Sequence, residues 1–217
     1  MKSALKVENA AELVLDGASV LIGGFMGVGS PHRIIDALVS RGVRDLTVVA
    51  NDTAMPGCGI GKLITARAVK RLITSHIGLN PETQAQMIAG DIVVELVPQG
   101  TLAERIRAGG VGLGGVLTAT GIGTEVAEGK EVVVVDGRPF LLEKPIRCDV
   151  ALIAARQADY VGNLEYSLTA QNFNPVMALA ADLVIAEAAA IVPVGVIPPD
   201  AVRTPGILVD YLLERSG

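Results

Sequence analysis

Short apolar runs, separated by polar turns and amphipathic stretches, organise the chain. Ala10 to Leu15 reads as the end of an amphipathic helix closed by Asp16-Gly17, and Ser19 to Ile22 as a short buried strand. That strand breaks into Gly23-Gly24-Phe25-Met26-Gly27-Val28-Gly29. Ser30-Pro31 then predicts a helix start, with Ser as N-cap and Pro at the first helical position. The helix carries Ile34, Ile35, Leu38 and Val39 on one face and stops at Gly42.

The same grammar repeats. Leu46 to Ala50 reads as a strand, followed by Asn51-Asp52-Thr53 and a Gly-rich loop through Gly61. Val69 to Thr74 is the next strand, followed by Ser75-His76; Asn80-Pro81-Glu82 then caps a helix. Ile92 to Val97 is the fourth, ending in Pro98-Gln99-Gly100, and Thr101 to Glu104 has capping-box spacing. Strand–loop–helix units in series predict an α/β fold with an open, mostly parallel sheet and flanking helices. In such a sheet all post-strand loops share the carboxyl edge, where ligands bind. The Gly-Gly-Phe loop, Asn51-Asp52, Ser75-His76 and Gln99 are therefore expected to converge.

The second half changes character. Val132 to Val135, Asp136-Gly137 and Pro139 to Leu142 predict a hairpin with a type I′ turn. Val150 to Ala154 and Leu183 to Ala186 read as buried strands, and Gln171 to Pro175 precedes a short Ala/Leu helix. No linker-like shift in composition interrupts the sequence, which predicts one domain over 1–217.

Composition narrows the function classes. Half of the 217 residues are hydrophobic, enough for a large core. A net charge of −5 argues against nucleic acid as partner. Cys58, Cys148, His32 and His76 show no metal spacing, so no metal is expected. Mean hydropathy is +0.49, yet the longest uncharged stretch, Ala108 to Thr124, contains seven Gly and reads as a buried loop, not a membrane span. With no signal-peptide pattern, a soluble cytoplasmic protein is expected.

Among candidate chemical groups, the Gly23–Gly29 loop has two readings. A Gly-rich turn leading into a helix can aim backbone N–H groups at a phosphate or thioester oxygen, or can simply allow tight packing. It does not match the dinucleotide fingerprint. Asn51 and Gln99 each follow a strand, where an amide can bind substrate or satisfy a turn. His76 is assigned no base role. Arg105 and Arg107 are expected to be surface or interface charges.

The segment from Asp16 to Pro31 resembles the first signature of family I coenzyme A transferases, α subunit of the acetate/acetoacetate (3-oxoacid) type. Ser75 to Pro81, Val97 to Gly110, and Asn172 to Pro175 beside Gly162-Asn163 carry the same resemblance. It implies the CoA-transferase/sugar-phosphate isomerase-like architecture and transfer of CoA from an acyl-CoA to a short-chain carboxylate. In this family a glutamate in a Ser-Glu-Asn-Gly motif attacks the thioester. That motif is absent from this sequence, whose only Glu-Asn pair is Glu8-Asn9. The resemblance therefore implies a β subunit carrying the nucleophile, in an α2β2 or larger heteromer. It also implies a supporting catalytic role for Gln99, substrate binding by Asn51, and contact between CoA or acyl-CoA and Gly23, Gly24, Phe25, Met26, Gly27, Val28 and Gly29. Butyrate or 3-oxoadipate specificity, and a non-catalytic ligand-binding or sugar-phosphate isomerase-like domain, remain alternatives on sequence alone.

Overall fold

A computed structural model describes residues 2–213; Met1 and 214–217, the ends of the expected 1–217 domain, lie outside it. The first half runs β1 (Ser3–Leu5), α1 (Val7–Glu12), β2 (Ser19–Ile22), α2 (His32–Arg41), β3 (Leu46–Asp52), α3 (Gly61–Thr65), β4 (Val69–His76), α4 (Pro81–Ala89), β5 (Val93–Leu96) and α5 (Gln99–Gly110). The second half contributes β6 (Val116–Thr118), β7 (Val132–Val135), β8 (Arg138–Glu143), β9 (Cys148–Asp159), β10 (Leu164–Glu165), α6 (Asn174–Met177), β11 (Ala181–Val192) and β12 (Tyr211–Leu213).

The main sheet has the order β1-β12-β11-β9-β2-β3-β4-β5 with every neighbouring pair parallel, and β10 pairs antiparallel with β9. From β2 the chain builds outward through β3, β4 and β5, then returns to the other side of β2 with β9. The β2/β9 boundary is thus the point where strand order reverses, the usual place for a ligand crevice in open parallel sheets. A separate antiparallel sheet, β6-β8-β7, holds the expected hairpin. Its central Asp136 and Gly137 both have positive φ (49° and 73°), as a type I′ turn requires.

Both faces of the main sheet are buried, and side-chain parity divides them. Val20, Ile22, Val48, Ala50 and Leu72 join one core with residues of α1, α2 and α3. Leu21, Val49 and Ile73, the alternate positions of the same strands, join a second core with Leu102 and Ile106 of α5 and Met177 of α6.

Several local expectations are corrected. β3 and β4 run two residues further than expected, so Asn51-Asp52 and Ser75-His76 are strand ends held in register and not loops. Helix α5 opens at Gln99 with Pro98 before it, so Thr101 lies inside the first turn and caps nothing. Pro98 is extended (φ −50°, ψ 134°) and its carbonyl already takes the Leu102 N–H. Residues 111–114 are exposed and none of residues 115–124 is buried, so the Gly-rich stretch is a surface crossing to β6 and not a buried loop. No described helix is long and apolar enough to cross a membrane. Arg105 faces inward: it donates to Glu95 Oε1 at 2.8 Å and to the Lys144 carbonyl at 2.8 Å, whereas Arg107 stays exposed beside Glu104.

Ser30 does not cap α2. Pro31 (φ −79°, ψ 78°) remains outside the helix, and the free N–H groups of Arg33 and Ile34 donate instead to the Glu187 carboxylate, reaching from β11 at 3.0 and 3.2 Å. Burial pushes the Glu187 carboxyl above its ordinary range, while the Arg33 and Ile34 amides pull it down. A carboxyl raised in the folded state binds protons there more readily than in the unfolded chain. Its contribution to stability is complete below the unfolded pKa and declines as pH rises through the folded one. Glu187→Gln, which keeps an acceptor without charge, is expected to flatten that decline. Glu187→Ala is expected to cost about 1–2 kcal/mol. Urea unfolding at a series of pH values spanning roughly 4 to 8 measures both effects.

Candidate functional site

Parity determines what the carboxyl ends of β3 and β4 present. Asn51 shares its face with Val49 and so points toward α5, while Asp52 points to the opposite face, toward the loop after β2. Ala50 pairs with Thr74 and Asp52 with His76, so Asn51 lies beside Ser75.

Asn51 is buried, with 3% of its surface exposed. Its Oδ1 accepts from Ser75 Oγ at 2.8 Å and from Gln99 Nε2 at 2.9 Å. The Ser75 hydroxyl also lies 2.7 Å from the Asn51 carbonyl. The Nδ2 group has no partner among the described residues, yet it is not sealed from solvent. It opens on a cleft of about 400 Å³ lined by Phe25, Asn51, Gln99, Gly100, Ala103, Thr169, Asn172 and Phe173. The cleft therefore presents three amide side chains, Asn51, Gln99 and Asn172, the last engaged with backbone carbonyls, beside Phe25, Ala103 and Phe173. Among the described residues, no acidic one lines it.

The expected convergence occurs, with His76 in register beside Asp52. The loop after β2, Asn51-Asp52, Ser75 and Gln99 are joined by hydrogen bonds. His76 is exposed and takes no part in that network.

The glycine loop is held differently from an anion cradle. Gly23 N donates to the Leu152 carbonyl, Gly24 N to Asn172 Oδ1 at 3.1 Å, and Met26 N to Asp52 Oδ2 at 2.9 Å. Phe25 and Val28 exchange both backbone bonds. These amides are occupied by the protein itself, which favours the packing reading of the loop over the ligand-facing N–H reading. Gly24 shows the constraint: its φ is +120°, and a Cβ there would collide with the Ser30 hydroxyl. What the loop presents outward is apolar, since Phe25, Met26 and Val28 are each more than a third exposed.

Burial raises the Asp52 carboxyl above its ordinary range, opposed by the N–H groups of Met26 and Ala54 and by nearby His76. Asp52 is thereby a clamp on the loop and is turned away from the cleft. From the second half of the chain, Asn172 adopts φ 23° and donates to the Val28 carbonyl at 3.0 Å, while Asn174 donates to the Gly29 carbonyl at 3.0 Å. The Asn172 to Pro175 segment is thus brought to the site. Gly162-Asn163 is not: Asn163 bonds Asp159 and the Gly206 N–H in the turn after β9. Sequence reasoning missed Glu187, whose signal is a carboxylate in the middle of a strand, Ala181–Val192, whose only other charge, Asp182, lies at its start.

Gly24→Val is expected to destabilise the chain by roughly 2–5 kcal/mol, from strain at positive φ and overpacking on Ser30. Lys70→Ala, at an exposed position, is expected to change stability by less than about 0.5 kcal/mol. Thermal unfolding of both variants compares them.

Comparison with known proteins bears on what this cleft does. The family described as Coenzyme A transferase matches residues 5–215. The chain is 51% identical over 209 residues to the acetate CoA-transferase subunit alpha of Escherichia coli K12, covering 96% of this chain and 95% of that protein. It is 46% identical over 211 residues to the acetoacetyl-CoA:acetate/butyrate CoA transferase alpha subunit of Clostridium acetobutylicum, covering 97% of each. Among solved structures, the acyl-CoA transferase of E. coli O157:H7, crystallised as a thioester complex with CoA, superposes with a TM-score of 0.86 at 23% identity. That match takes in 98% of this chain but 47% of the other, so this chain spans about half of that protein's length.

Proposed function

The chain belongs to the coenzyme A transferase family, and from that premise we propose that it is the α subunit of a heteromeric enzyme of acetate/acetoacetate type. The observation that carries the reading is a cleft that offers the Asn51 and Gln99 amides and, among the described residues, no carboxylate. Residues 1–217 act as one domain, in the cytoplasm, within an α2β2 or larger assembly whose β subunit supplies a glutamate.

The reaction exchanges bonds without net oxidation or reduction. The glutamate oxygen adds to the thioester carbonyl, the C–S bond breaks, and CoA thiolate leaves an acyl-glutamyl anhydride. The thiolate then adds to the glutamyl carbonyl, the C–O bond breaks, and the first carboxylate departs, leaving a glutamyl-CoA thioester. A second carboxylate reverses these steps. Each addition places negative charge on a carbonyl oxygen, and preorganised N–H donors stabilise that charge. Asn51 Nδ2 and Gln99 Nε2 are the donors this chain offers. Phe25 of the Gly23–Gly29 loop, with Ala103 and Phe173, walls the acyl end. The cleft's size and its mixed lining, apolar at Phe25, Ala103 and Phe173, suit short acyl chains, acetyl and acetoacetyl first, with butyryl the nearest competitor.

Purified alone, the chain is expected to give no acyl-CoA:carboxylate exchange above background, and mixing with the β subunit is expected to restore it. Turnover of acetyl-CoA and acetoacetate by this chain alone would overturn the reading. In the assembled enzyme, Gln99→Ala is expected to lower turnover by about 10²–10³ with little change in acyl-CoA affinity. Steady-state kinetics and borohydride trapping of the glutamyl thioester measure the two effects.

A further inference from the structure

We propose that two small residues on the cleft-facing side of α5, Gly100 and Ala103, set the size of acyl group the enzyme accepts. Bulk added at either position excludes butyryl before acetyl. This rests on the reading of the cleft as the place where the acyl-CoA reacts.

Gly100 has no purpose within this chain. Glycine is the poorest helix former after proline, yet Gly100 sits in the first turn of α5. Its φ is not positive, and a Cβ there would meet nothing within 4 Å among the described residues. Neither backbone conformation nor packing therefore asks for a glycine. The other two glycines of the helix differ: a Cβ on Gly109 would strike the Ile146 carbonyl, and one on Gly110 would strike Leu179. What the missing side chain of Gly100 leaves open is the cleft it lines.

Ala103 continues the same wall. It stands one helical turn beyond Gln99 on the same face, about 6 Å along the axis at 1.5 Å per residue. Gln99 and Gly100 are exposed, whereas Ala103 is half-buried against the second core and Phe173 is 8% exposed. Gly100 thus gives the entrance its width, and Ala103 gives the floor its depth. Asn51 points independently to a ligand in this space. It is 3% exposed, yet one polar atom of its amide has no partner among the described residues and opens on the cleft. With the thioester carbonyl at Asn51 and Gln99, an acetyl group ends close to the amides. A butyryl group extends along α5 toward Ala103.

The test is a size series at both positions in the assembled enzyme, with acetyl-CoA and butyryl-CoA as donors and acetoacetate as acceptor. Ala103→Val is expected to lower kcat/KM for butyryl-CoA about 10–200-fold more than for acetyl-CoA, the range that methylene-sized changes in an apolar pocket command. Gly100→Leu is expected to shift the same ratio in the same direction, with Gly100→Ala between it and the unsubstituted enzyme. Gly100→Ala is also expected to raise the thermal unfolding midpoint of this chain by about 1–4 °C, since alanine is the better helix former. A more stable chain that discriminates more sharply against butyryl is a result that a structural role for Gly100 does not produce. Equal losses for the two donors would place the added side chains against the CoA portion or the partner subunit and overturn the proposal. Failure of Gly100→Ala to assemble with the β subunit would overturn it as well. If Ala103→Val loses its fold by the same unfolding measurement, the Gly100 pair decides the question through the same ratio. An unchanged ratio in an enzyme that Gln99→Ala impairs would sink the proposal and leave the reading of the cleft standing. An unchanged ratio together with normal turnover in Gln99→Ala would remove both.

Discussion

A single acceptor atom, Oδ1 of Asn51, joins the ends of β3, β4 and α5. The donors it receives come from positions 24 and 48 residues away in sequence, so the junction exists only once the parallel sheet has formed. Parity makes it possible. One residue further along β3, Asp52 faces the opposite side and holds the loop after β2 through Met26 N. Two consecutive polar residues thus serve two different jobs, one arranging the cleft and the other its wall. A one-residue slip of β3 would exchange them.

The walls are held as firmly as the donors. Asn172 and Asn174 bind the glycine loop from the second half of the chain, which explains why a loop with three glycines at positive φ between Gly24 and Gly29 keeps one shape. The body of α5 is tied down by Arg105. Burial by itself would raise the Glu95 carboxyl, but the hydrogen bonds and charges of Arg105 and Arg71 hold it below its ordinary range. Glu143, 2% exposed, takes Lys130 at 2.6 Å and lies 3.9 Å from Arg105. Removing one member of such a buried group leaves an uncompensated charge, so the cluster works chiefly to hold α5 against β5 and β8. Gln99 is at one end of a helix whose middle cannot easily shift.

The fold was legible because its signals are local. Apolar runs, Gly42 after α2, Asn80 before α4 and Asp136-Gly137 each act within a few residues, and each was found where the pattern put it. The convergence of Asn51, Ser75 and Gln99 was legible too, since a parallel sheet dictates it and no pairwise contact need be known. What escaped were partners distant in sequence. Ser30-Pro31 looks like a complete helix start, and nothing near it announces that Glu187 will supply the cap. Arg105 reads as a surface charge until Glu95 and the Lys144 carbonyl are brought beside it. The glycine loop reads equally as a cradle or as packing until Asn172 and Asp52 are seen to take the Gly24 and Met26 amides. Local grammar reports the elements, and only the fold reports which polar groups have already found each other.

The proposed reaction requires the Asn51–Gln99 amide pair to face the reacting carbonyl supplied through a partner subunit. A structure of the assembled enzyme trapped as its glutamyl-CoA thioester tests this most directly. The thioester carbonyl oxygen is expected within hydrogen-bond distance, about 2.7–3.2 Å, of Asn51 Nδ2 or Gln99 Nε2, with Phe25 beside the acyl end. A thioester lodged elsewhere, with both amides turned to solvent or sealed against protein, would contradict the account.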